Sequence, residues 1–178
     1  IDGEIANDGS GWAVSMPDAS TVAVAAPWND SNGKNDAGHV RVYKLVNGTW
    51  VQRGVDLNGE GAHDQATDVS MPDSNTVAIG FGYNDSNGNN SGQVEIYSWN
   101  GTAWVQKGVD IHGELHDDVS GISVSMPDAN TVAIGAYGND GNTTDKGHCR
   151  VYTWNGSSWV KKGADIDGQI TGDEAGWS

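Results

Sequence analysis

The stretch "VSMPDASTVAVAA" (Val14–Ala26) decides the fold, because it returns as "VSMPDSNTVAIGF" (Val69–Phe81) and "VSMPDANTVAIGA" (Val124–Ala136). Both steps are 55 residues. A fixed period of this length marks a repeat architecture, in which each copy buries its faces against its neighbours. "NGTWVQRGVDL" (47–57), "NGTAWVQKGVDI" (100–111) and "NGSSWVKKGADI" (155–166) keep nearly the same period. The opening "IDGEIANDGSGW" (1–12) comes back as "IDGQITGDEAGW" (166–177), so three full copies and 13 residues of a fourth are present. The expectation is a single repeat domain, 1–178, with units at approximately 11–57, 66–111 and 121–166, incomplete by itself.

Each copy reads as four short strands. From Gly11 to Met16, Trp12, Val14 and Met16 alternate with Ala13 and Ser15, a period of two. In Thr21–Ala26 valines alternate with alanines, and small side chains on one face let a neighbouring sheet come close. His39–Leu45 and Trp50–Leu57 supply the third and fourth strands. Pro17-Asp18 suits a tight turn between the first two strands. Asn47-Gly48, Asn100-Gly101 and Asn155-Gly156 signal hairpins between the last two. Trp99 should then meet Trp104, and Trp154 should meet Trp159, across those hairpins. One four-stranded antiparallel sheet every ~40–50 residues is the pattern of a β-propeller blade. The expected fold is therefore all-β, built of such blades.

Composition agrees. Gly numbers 26 and hydrophobic residues are only 36%, which suits short strands and many turns. The net charge of −15, from 24 acids and 9 bases, opposes nucleic acid and anionic membranes and favours cations, basic partners or neutral ligands such as sugars. No stretch approaches ~18 apolar residues, so no membrane insertion is expected. The single cysteine, Cys149, can form no internal disulfide; it aligns with Val40 and Val94 and reads as a small buried apolar group.

The order of cues is specific. "GW-x-V-S" at Gly11, "TVAVAAP" at Thr21, "GHVRVY" at Gly38 and "WVQ" at Trp50 follow one another, with counterparts in the later copies. This set resembles the FG-GAP repeat of integrin α-chain propellers and of many bacterial surface proteins, and the resemblance covers the whole chain. Copy two departs, with "ATDVS" where the others have "GWAVS" or "GISVS". The resemblance implies a non-catalytic binding or adhesion module, extracellular or on the cell surface. A structural repeat of a long surface fibre and a lectin-like, carbohydrate-binding propeller are the alternatives. The family's calcium loop does not carry over, since "MPDAST", "MPDSNT" and "MPDANT" are short and hold one carboxylate each. Three blades cannot close a ring, so other copies or missing blades should complete it, and bare strand edges invite such pairing.

In an up-and-down blade the connections after strands two and four share one face. That face carries the long loops, such as "APWNDSNGKNDAG" (26–38) and "VDLNGEGAHD" (55–64), and most of the acids. Loops on a rigid scaffold commonly bind. Asp56, Glu60, Asp110, Glu114 and Trp28 are representative candidates for a protein or glycan ligand. For Ca2+, the recurring N-D-x-N offers Asp30, Asn32, Asp36, Asp85, Asn87, Asp140, Asn142 and Asp145, although Asx turns shaping the loop explain the same residues. Arg41, Arg53, Lys107, Arg150 and Lys162 are expected around the outer wall. His63 and Asp64, with His112, Glu114, His116 and Asp117, lack any metal or acid–base spacing and read as solvated loop residues. No nucleophile motif appears, and no enzyme activity is expected.

Overall fold

The computed structural model describes residues 1–141 and 145–178. In the first unit β1 (Val14–Asp18), β2 (Thr21–Ala26), β3 (His39–Val46) and β4 (Thr49–Gln52) pair in chain order, and β5 (Leu57–Asn58) returns to β3. The second unit repeats this with β6 (Ala66–Asp73), β7 (Thr76–Phe81), β8 (Gln93–Trp99), β9 (Trp104–Gln106) and β10 (Ile111–His112). The third has β11 (Ser123–Asp128), β12 (Thr131–Ala136), β13 (His148–Trp154), β14 (Trp159–Lys161) and β15 (Ile166–Asp167). All pairings within the sheets are antiparallel. The chain is all-β, three blade-like sheets of one design.

The expected fourth strand is two pieces in every sheet. In the first, β4 pairs with the end of β3 and β5 with its beginning, and the chain breaks between them at Gly54. Gly54 has φ +87°, and a Cβ there would lie 2.8 Å from Trp104 Cδ1 of the next blade. The break lets the next blade's tryptophan press on bare backbone.

The hairpins also differ from expectation. Asn47 and Gly48 both have positive φ (50° and 83°) and form a two-residue loop between Val46 and Thr49. Copies two and three keep the same hairpin length but place Asn-Gly one residue earlier, and Trp99 pairs with Trp104 and Trp154 with Trp159 around four-residue loops. There the Asn side chain caps the turn: Asn100 Oδ1 accepts from the amides of Thr102 and Ala103, both at 2.9 Å. The tryptophans do meet, with ring centroids 5.3 and 5.5 Å apart.

The blades stack face to face. Ala23, Ala25, Val40, Val42 and Leu57 of the first pack against Val69, Met71, Val77, Ile79, Phe81 and Trp104 of the second. The second blade's other face, with Ala78, Val94, Ile96 and Ile111, meets Val124, Met126, Val132 and Ile134 of the third. Alternating small and large residues explain the fit: alanines and valines of one sheet receive the bulkier side chains of the next. Gly80 shows how tight it is, since a Cβ there would sit 1.8 Å from Gly121 O.

Polar bonds run across the same joints. Met71 N donates to Ser15 Oγ (2.9 Å), and Met126 N donates to Ser70 Oγ (3.0 Å). Trp104 Nε1 donates to Arg53 O and Trp159 Nε1 to Lys107 O, both at 2.7 Å. The departures of copy two also act here. Asp68 Oδ2 accepts from Val124 N at 2.8 Å, and the Thr67 hydroxyl lies 3.0 Å from Gly121 O. β1, β6 and β11 stand side by side, and a concave groove of about 510 Å³ lies between Trp12 and Trp177, lined by Thr67 and Asp68 of β6 and by Ser123, Val124 and Ser125 of β11.

Candidate functional site

The long loops meet on one face. His63 N donates to Asn35 O (2.8 Å) and Gln65 N to Asp36 O (3.2 Å), tying the loop after β2 to the linker after β5. Asp117 N to Asn89 O and Val119 N to Asn90 O repeat the tie one blade on.

Each linker is locked by a buried carboxylate. Asp8, Asp64 and Asp118 are buried, and each accepts from the amide of an N-D-x-N asparagine: Asn29 (2.8 Å), Asn84 (2.9 Å) and Asn139 (3.0 Å). Asp118 Oδ2 also accepts from the backbone N–H groups of Glu114 and Leu115, each at 2.9 Å. These aspartates, expected among the surface acids, serve instead to hold the loops. They stand two or three residues before "GW" or its equivalent (Gly11, Ala66 and Gly121), and the spacing gave no sign of this, because an acid in a Gly-rich linker looks solvated.

The N-D-x-N carboxylates shape the loops as well. Asp30 Oδ1 accepts from Asp36 N (3.0 Å), Asp85 Oδ1 from Asn90 N (2.8 Å) and Asp140 Oδ1 from Asp145 N (3.0 Å). Asn87 donates to the carbonyls of Gly113 and Glu114, at 2.8 and 2.9 Å. Asn32, with φ 56°, is exposed in a single 3-10 turn, Ser31–Gly33. Asn142 lies outside the described residues. Asp30, Asp85, Asp140 and Asp145 keep exposed side chains at the rim.

Two basic residues are not on the outer wall. The side chain of Arg41 is only 13% exposed; its guanidinium binds Asp56 through Nε and Nη2, both at 2.8 Å, and Glu4 at 2.6 Å. Arg150 repeats this with Asp165 (2.8 Å twice) and Glu114 (2.6 Å). Bidentate geometry of this kind is among the stronger polar contacts in proteins. The Arg41 bond holds the Asp56 carboxyl below the usual carboxylate range, and Arg150 does the same for Asp165. Asp56 and Glu114 are therefore engaged within the fold. A Lys or Arg in a strand alternating with valines reads as outward-facing, and only the acids Asp56 and Asp165 in the break of the fourth strand, with Glu4 and Glu114, signal otherwise.

Ligating atoms of Glu4, His39 and Asp56 lie within 4.8 Å of one another, as do those of His148, Asp165 and Asp167. The arginines already supply positive charge to both groups. His39 and His148 are buried, and loss of solvation lowers both imidazole pKa values.

Blade two breaks the pattern. Where the others have Arg41 and Arg150, it has Glu95, which is 2% exposed. Its carboxyl accepts from Gln93 Nε2 (2.8 Å) and from the Tyr97 hydroxyl (2.5 Å). Burial, reinforced by the charges of Asp110 and Glu60, pushes its pKa up to about 8. The change in copy two is visible as "GQVEIY" against "GHVRVY".

Among the remaining candidates, Glu60 is exposed, Asp110 accepts from Gln106 Nε2, and Trp28 is 39% exposed. Trp28 packs edge-on against Trp12, with centroids 5.0 Å apart. With Pro27, Gln65, Thr67 and Tyr83 the pair borders a hollow of about 160 Å³. Cys149 is half-buried on the far face of the third blade, whereas Val40 and Val94 are fully buried beneath a neighbour. His63 and His116 are exposed and lie near Asp36 and Asp117 at 3.4 and 3.3 Å. No protein-family model matches the chain, and no curated protein matches it.

Proposed function

We propose that the chain is a non-catalytic binding or adhesion module of FG-GAP-like propeller blades, working outside the cell and meeting its ligand with the long-loop face. One observation carries this reading. The same loop is held in the same pose, blade after blade, by a buried Asp–Asn lock at 2.8–3.0 Å. Ordering the loops in advance removes entropy that a ligand would otherwise have to offset. The exposed carboxylates Asp30, Asp85 and Asp140 then present a recurring negative edge suited to a cation such as Ca2+ or to a basic protein surface. Calorimetric titration with calcium chloride and with oligolysine tests it. The triple variant Asp30→Asn, Asp85→Asn, Asp140→Asn keeps the loop-capping oxygens and removes the charges. Binding by the wild type that weakens in the variant supports the reading, and absence of binding to both probes rejects the acidic-edge version of it.

The exposed Trp12–Trp28 pair beside the hollow at Tyr83 supports a second reading, a sugar-binding ledge, since exposed aromatic faces stack on sugar rings. A glycan array with the wild type and Trp28→Ala distinguishes the two: a signal lost in the variant supports the sugar.

A further inference from the structure

We propose that the two outer faces of the stack are the two halves of one joint, and that a second copy of this chain occupies them head to tail. The two joints inside the molecule show what each half needs. At the second and third blades, the inner-strand pairs Val69 and Met71, then Val124 and Met126, are 5–8% exposed because the preceding blade covers them. The same positions in the first blade, Val14 and Met16, are 61% and 56% exposed. On the opposite face, Leu57 and Ile111 are 5% and 7% exposed beneath the following blade, while the equivalent Ile166 is 60% exposed.

The polar halves match as well. Ser15 and Ser70 accept from the methionine amide of the next blade; Ser125 stands in their place on the third blade, exposed. Trp104 and Trp159 donate to the carbonyls of Arg53 and Lys107; Trp50 and Lys162 occupy the matching positions at the two ends. Arg53 lies over the Trp99 ring (4.5 Å) and Lys107 over the Trp154 ring (5.4 Å), whereas Lys162 is exposed. A second copy placed one repeat further on would thus pair Ser125 with Met16 N, Lys162 O with Trp50, and Ile166 with Val14 and Met16. Such a contact uses different patches on the two molecules, so it propagates or closes into a ring. Residues 1–12 of one copy and 166–177 of the other are variants of one phrase, identical at seven of twelve positions, and compete for one position in the joint, so one of the two segments is displaced there.

The test uses two variants, each blocked at one end on exposed side chains: Val14→Asp with Met16→Asp, and Ile166→Asp. Light-scattering mass is measured for each alone and for the mixture, with unchanged thermal melts confirming that the blades fold. The wild type is expected to gain mass with concentration, each variant to stay monomeric, and the equimolar mixture to form a one-to-one dimer. A wild type that stays monomeric at millimolar concentration overturns the proposal and assigns the faces to another occupant. Association that survives in either variant alone, or a mixture that stays monomeric, overturns it too.

Discussion

Replacing Glu95 by Gln should change how stability depends on pH. An unfolded glutamate ionises near 4.5, and Glu95 in the fold does so near 8 because burial disfavours its charge. Between those values the folded protein holds a proton that the unfolded chain has lost, so stability falls as pH rises. The contribution of the neutral carboxyl is complete below 4.5 and lost by 8, above which both states are ionised. At about 1.4 kcal/mol per tenfold in proton affinity, the whole window is worth about 5 kcal/mol. The isoelectric point of about 4.3 makes the acid end prone to precipitation, so the useful range is roughly pH 5.5 to 8.5. Across it the wild type should lose about 3 kcal/mol relative to Glu95→Gln. Urea unfolding of both proteins at closely spaced pH values measures the difference directly, because the titration of every other acid cancels. Parallel curves would refute the reasoning and mean that Glu95 is solvated or ion-paired in solution.

Glu95→Arg recreates the arrangement of blades one and three beside Glu60 and Asp110, and should raise the unfolding midpoint and remove the same pH dependence. Arg41→Ala strips Glu4 and half-buried Asp56 of their cation and should destabilise by about 3 kcal/mol, read by chemical denaturation. Gly80→Ala forces a Cβ onto Gly121 O and should cost more than about 3 kcal/mol, with Ala78→Gly as a milder control in the same strand. Trp104→Phe keeps most of the apolar contact and gives up the bond to Arg53 O, so a loss of about 1–2 kcal/mol is expected in the same assay.

The period of "VSMPD" and the alternation of valines with alanines were enough to read the blades, their strand order and the tryptophan pairs, because those depend on local pattern and short hairpins. What sequence could not show was where polar side chains point once blades stack. Arg41 has the neighbours of an outward residue, and its burial depends on Glu4, from the segment before β1, and Asp56, from the break between β4 and β5. Asp8, Asp64 and Asp118 look like solvated loop acids until the loop after the second strand folds over them. A one-residue shift of "NG" within hairpins of equal length, "LVNGTW" against "WNGTAW" and "WNGSSW", decides the hairpin type, although "NG" is common to all three copies. The loop carboxylates Asp30, Asp85 and Asp140 were legible as turn formers and as cation candidates, and the structure shows the turn bonds directly.

The central claim is that equal phrases build equal blades, and that stacking alone makes their environments differ. Amide hydrogen exchange at three equivalent methionines tests it most directly. In dilute solution Met71 and Met126 should be protected by the Ser15 and Ser70 hydroxyls across the joints, while Met16 exchanges fast. Uniform exchange at all three, or a Met16 as slow as the others at high dilution, would contradict the stack.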